Sequence, residues 1–145
     1  MRKIAAIGFA TALIATPAVA STDTDAFEKS GLTGKWAYDC AKPASEKNFV
    51  DTWSVVDGKV VRASDIGKPD PKPTKAATFG VGKTGRIYYQ ATGAIGVLTV
   101  ELLVEAKRYR LWSSEDVMPL AGGQVYVVDG KSKDGGETQW YNKCD

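Results

Sequence analysis

The sequence predicts an all-β protein: a small antiparallel barrel or sandwich of eight to nine strands, with one disulfide tying the first strand to the last. Three observations carry this. Short β-rich runs recur along the chain, separated by glycine, proline and aspartate. Val55-Val56-Asp57-Gly58-Lys59-Val60 reads as a hairpin, because a type I′ turn needs positive φ at both central positions and Asp-Gly accommodates it. The chain's two cysteines, Cys40 and Cys144, stand near its two ends.

Residues 1–20 read as a secretory signal that is removed. Arg2 and Lys3 form the basic start, Ile4 to Ala15 the apolar stretch, and Ala18-Val19-Ala20 the small-x-small cleavage site. The expectation is a mature domain over 21–145, periplasmic or secreted, with no membrane attachment after cleavage. The full chain carries 19 Lys+Arg and 17 Asp+Glu. The leader holds two of the bases and none of the acids, so the mature chain is balanced. Charge therefore gives no argument for a nucleic-acid partner. Two cysteines in an exported chain predict a disulfide, Cys40–Cys144.

Taken in order, Ser21 to Gly31 is a polar lead-in, with Asp25 and Glu28 spaced to cap one short helical turn that Gly31 ends. A first strand spans about 34–40, with Trp36, Tyr38 and Cys40 on one face. Residues 41–47 form a loop, and 48–56 and 59–62 are the two arms of the Asp57-Gly58 hairpin. Gly67 to Lys75 carries three alternating prolines and reads as an extended, polyproline-like connector. Strands follow at 76–81 and 86–92, joined by Gly82-Lys83-Thr84-Gly85, and Gly93 to Gly96 turns the chain again.

Val97 to Ala106 alternates cleanly, with Leu98, Val100, Leu102 and Val104 on one face. The same stretch is also good helix material, and no Gly, Pro or Asn marks a turn near Lys107. We read strands at 97–106 and 108–113, a loop over 114–123, and strands at 124–128 and 137–143. With nine up-and-down strands the first and last run parallel, and Cys40 and Cys144 share one rim. The disulfide thus favours an odd count, or a tail that folds back.

The chain has no histidine. Histidine-based triads, metal ligands and acid–base catalysis drop out together. Paired cysteines remove thiol nucleophiles and zinc thiolates. Asp129 to Glu137 fails as a calcium loop, since Lys131 and Lys133 stand where oxygen ligands belong. Glu101 and Glu105, four apart on a strand, lie ~13 Å apart, too far for a glycosidase pair. No metal, cofactor or catalytic residue is expected, and the protein is read as no enzyme.

The aromatics are more informative. They serve as core, or as walls of a ligand cup bearing phenol and indole handles. The tentative ligand residues are Tyr88, Tyr109, Trp112 and Tyr126. Arg108 and Arg110 share a strand face beside them, suited to an anionic group or to a cation–π contact.

Gly34-Lys35-Trp36 near the start of an exported β-chain resembles the Gly-x-Trp opening of the lipocalin and wider calycin barrels. That resemblance implies that Trp36 closes one end of the barrel, under an arginine from a late strand, Arg108 or Arg110. The family's second motif, Thr-Asp-Tyr, is absent. Trp36-x-x-Asp39-Cys40-x-Lys42-Pro43, with Trp140-x-x-Lys143-Cys144, is similar to small exported proteins of proteobacteria, a likeness that implies no activity. Small periplasmic inhibitors of secreted proteases share the size, export and single disulfide, but their inhibitory segment does not match Ser21 to Gly31. The function expected is a periplasmic binding module with a lipocalin-like cup for a small, partly apolar ligand. The alternative is a protein-interaction module, such as a protease inhibitor or an envelope assembly factor.

Overall fold

The structure, a computed structural model, describes residues 23–68, 73–92, 96–117 and 124–145. The predicted leader lies outside them, as do parts of the proline connector and of the turn at 93–96. The described elements are α1 (Asp23–Ser30), β1 (Gly34–Ala37), β2 (Val50–Val56), β3 (Lys59–Asp65), β4 (Pro73–Val81), β5 (Ile87–Thr92), β6 (Val97–Glu105), β7 (Arg108–Val117), β8 (Gln124–Val128), β9 (Lys131–Ser132) and β10 (Trp140–Cys144).

Eight strands close into a barrel. Each of β1 to β7 pairs with the next, and β10 pairs with both β7 and β1, all antiparallel. The other two strands extend from β7. One edge of β7 is covered by β6 along its length. On the other edge, Arg108–Arg110 pair with β10 and Ser114–Asp116 pair with β8, which carries β9 outward. The sequence stops this strand at Ser113, whereas it runs on to Val117.

The turns explain the order. Asp57 and Gly58 both hold positive φ, 51° and 70°, as a two-residue type I′ hairpin requires. The turn between β6 and β7 is equally tight, since Glu105 pairs with Arg108. Ala106 takes φ 41° there without any glycine or asparagine to announce it. The stretch 97–113 is thus two strands and contains no helix. Pro73 opens β4 opposite Ala63, a first-strand position where its missing N–H is tolerated.

Trp36, Trp53, Val60, Phe79, Tyr89, Val100, Leu102 and Tyr109 fill the barrel. The lead-in is helical and belongs to this core. α1 packs on β3 and β4 and sinks Phe27 beside Phe79, with ring centroids 5.4 Å apart. Trp36 is fully buried and donates its indole N–H to Leu32 O at 2.7 Å. The cation over its ring is Lys143, 5.3 Å away, not Arg108 or Arg110.

The disulfide joins Cys40 to Cys144, Cα to Cα 5.5 Å. The odd-count expectation is corrected: the ring is even and β1 runs antiparallel to β10. The strand ends at Ala37, the chain bends at Tyr38 and turns at Cys40. That turn carries Cys40 back along β10, so both sulfurs lie 3.6 and 3.7 Å from Asn142 O. The bridge spans 104 residues of chain. Reducing it, or replacing both cysteines by serine, is expected to lower unfolding free energy by up to about 4–5 kcal/mol. Urea titration with and without reductant checks this, and superimposable curves would show that the strand pairing closes the barrel alone.

Candidate functional site

Asp51 follows Val50 into β2 and shares the inward face with Trp53. Its side chain is entirely buried. A bare carboxylate there would be costly, so each oxygen is occupied. Arg62 donates from Nε at 3.0 Å and Nη2 at 2.8 Å to Oδ2. Ser64 donates to Oδ1 at 2.6 Å, and the Tyr109 hydroxyl donates to Oδ2. Arg62 also donates from Nη1 to Tyr89 OH at 3.0 Å and lies over the Trp53 ring, 5.7 Å from its centroid. Trp53 Nε1 in turn donates to Tyr109 OH at 3.3 Å. Burial drives the Tyr109 phenol well above its ordinary range, against the pull of Arg62 and with help from Asp51. It therefore stays a donor at working pH.

Three members of this network, Arg62, Ser64 and Tyr109, line the floor of a cleft of about 400 Å³. The walls are Tyr38, Phe49, Leu102, Leu111 and Tyr141, and Ser132 and Glu137 to Gln139 stand at the rim. Tyr109 and Tyr141 stack in parallel, 4.7 Å apart and 3° from coplanar. Tyr38 and Phe49 stack at 5.6 Å and 16°. The Tyr38 and Tyr141 hydroxyls are hydrogen-bonded at 3.2 Å, and burial drives the Tyr141 phenol upward. Convergent polar groups beside aromatic side chains, in this volume, are what small-molecule sites generally share, and they make this cleft the candidate site. A larger depression, about 640 Å³, runs along β4 and β5 between Pro73 and Leu98, but small residues and two lysines line it, without an aromatic wall.

Of the four residues suggested as ligand contacts, only Tyr109 faces the cleft. Tyr88 alternates with buried Ile87 and Tyr89 and points outward. It lies across Gly80 of β4, where a Cβ would meet its ring at 2.9 Å. Tyr126 is exposed on β8. Trp112 sits at a β-bulge opposite Glu101 and Leu102 and belongs to an outer stack. There Arg108 lies 4.2 Å from the Trp140 centroid, Arg110 lies 4.9 Å from Trp140 and 5.4 Å from Trp112, and Arg86 lies 4.3 Å from Trp112. Each arginine has its own carboxylate: Glu105 for Arg108, Glu137 for Arg110 and Glu101 for Arg86. The arginine pair thus holds indoles. Among the described residues, no group of three or more Cys, Asp or Glu side chains is placed to hold a metal ion.

The residues that sequence reasoning missed are Asp51, Arg62, Ser64, Phe49 and Tyr141. A signal existed. Asp51 and Trp53 share one parity, as do Val60, Arg62 and Ser64, and the Asp-Gly turn fixes Trp53 opposite Arg62 and Asp51 opposite Ser64.

The fold and the cleft define a class: a closed eight-stranded antiparallel barrel with a polar floor beneath aromatic walls. Comparison with family models, curated proteins and solved structures found no match.

Asp51→Ala is expected to destabilise the fold by about 3–5 kcal/mol, because it strands Arg62 and Tyr109 in the core; urea unfolding measures it. An alkaline titration tests the phenols. Tyr109 and Tyr141 have ordinary values of 10.0 and are raised in the fold. Their contribution is therefore intact below pH 10 and is lost as pH rises above it, since only the unfolded state then releases those protons. Tyrosinate absorbance should show these two silent until the chain unfolds. All six tyrosines ionising near pH 10, with the far-ultraviolet dichroism unchanged, would contradict the burial.

Proposed function

We propose that this chain is a non-enzymatic binding module, exported to the periplasm or cell exterior, whose cleft takes a small, partly apolar ligand. The cleft carries this reading. It is about 400 Å³, lined by several aromatic side chains, and the Arg62 in its floor is already neutralised by Asp51 buried behind it. A saturated carboxylate and protonated phenols suit holding a ligand better than moving its protons. The Cys40–Cys144 bridge suits an oxidising compartment, in keeping with the signal read over 1–20.

A second reading, a protein-interaction module such as a protease inhibitor or an envelope assembly factor, draws on β8. Val125, Tyr126 and Val128 are exposed there. Among the described residues of the lead-in, α1 is docked on the barrel through buried Phe27 rather than projecting from it.

N-phenyl-1-naphthylamine, an uncharged probe that brightens when desolvated, tests the cleft. Saturable one-to-one binding is expected, abolished by Leu111→Trp, which fills the cleft, and kept by Val125→Glu on β8. Unsaturable binding, or binding unchanged in Leu111→Trp with the fold intact by dichroism, would overturn the reading.

A further inference from the structure

The floor and walls of the cleft specify more than apolarity. A guanidinium offers five N–H donors. Arg62 uses three of them: Nε and one Nη2 hydrogen on Asp51, and one Nη1 hydrogen on Tyr89. Two remain, one on each Nη. The side chain is 23% exposed, and it lines the cleft. The Tyr38–Tyr141 pair shares one hydrogen bond between two hydroxyls. Whichever phenol donates, the other keeps its proton for the cleft. Ser64 and Tyr109 have their protons committed to Asp51. The floor is thus rich in unspent donors, and the matching head group is an acceptor.

Charge narrows the choice. Arg62 is the counter-ion of Asp51 at 2.8 Å. An anionic ligand on the same guanidinium would bring a second negative charge against a buried carboxylate that cannot move away. A cation would face Arg62 itself. Glu137 at the rim is spread into solvent and paired with Arg110. An uncharged acceptor meets the donors without either penalty. Shape narrows it again. Tyr109 and Tyr141 are buried and cover each other, so the rings left partly open to the cleft are the stacked pair Tyr38 and Phe49, with Leu102 and Leu111 as aliphatic neighbours. Flat rings extend such stacks at little conformational cost.

We propose that the cleft takes a planar aromatic compound carrying an uncharged carbonyl, with the carbonyl oxygen on the free N–H groups of Arg62 and the ring against Tyr38 and Phe49. This rests on the binding-module reading and assigns its ligand class.

Four probes of similar bulk test it by calorimetry on the disulfide-bonded chain: 2-acetylnaphthalene, 2-naphthoate, 2-naphthylmethylammonium and dodecanoate. 2-Acetylnaphthalene should bind at least about tenfold more tightly than the other three. Arg62→Lys, which keeps the charge but loses the planar fork, should weaken it by about tenfold. Tyr38→Phe keeps the stack and loses only the hydroxyl, so it should retain most of the binding even if Arg62→Lys fails to fold. Phe49→Ala, which removes a partly exposed wall ring, should abolish it. If naphthoate, the ammonium or dodecanoate binds best and Leu111→Trp abolishes that binding, the carbonyl assignment falls and the binding module stands. The same holds if none of the four binds while N-phenyl-1-naphthylamine does. If no probe, that amine included, shows binding that Leu111→Trp removes, both fall.

Discussion

One buried carboxylate constrains the barrel more than any apolar contact. Asp51 on β2 is held by Arg62 and Ser64 on β3 and by Tyr109 on β7, and Arg62 reaches on to Tyr89 on β5. Four strands therefore meet at one charge. Desolvating an ion costs several kcal/mol unless every partner is in place. Each partner is in place only when its strand is in register. A one-residue slip of β2 against β3 would turn both Asp51 and Trp53 out of the interior and leave Arg62 without a counter-ion. The apolar residues around this network, Trp36, Val60, Val100 and Leu102, would tolerate several packings. The ion pair tolerates one.

The strand pattern was legible in the sequence wherever the alternation and a turn residue agreed. The Asp57-Gly58 hairpin, the Gly82–Gly85 turn and the strand from Val97 follow from local rules. Local rules miss the tight turn at Ala106, because nothing in an alanine announces positive φ. It is imposed by the pairing of β6 with β7 on either side. The disulfide partners were legible from the signal-like start and the count of two cysteines, and their geometry was not. Strand parity places Cys40 only if β1 continues straight to it, and the bend at Tyr38 turns the chain before that point. The count of strands also rose, because β7 outruns β10 and the spare edge takes β8 and β9.

The site was less legible than the fold, for a physical reason. Aromatic residues stabilise both faces of a sheet, so residue type does not say which face a ring occupies. Tyr88 covers a glycine on the outside, and Trp112 and Trp140 are stacked with arginines. A charge at core parity is the sharper marker, because the interior rejects an ion that has no role there. Asp51 and Arg62 carried that mark on facing strands of the best-defined hairpin. Reading register from the turn first, and charge against register second, locates the floor of the cleft.

The barrel's closing strand has a consequence for how the molecule comes to exist. β10 completes the ring by pairing with β1 and β7, and Cys144 lies within it. Neither the hydrogen-bonded circle nor the covalent loop can form while that strand is still in the ribosome. Until then β1 has one open edge and Trp36 lacks Lys143 above it. The contacts that finish the domain are its most distant in sequence, so they form late and carry the largest loop-closure entropy. The barrel stays unlocked until β10 has been made, and locks only when that strand meets β1.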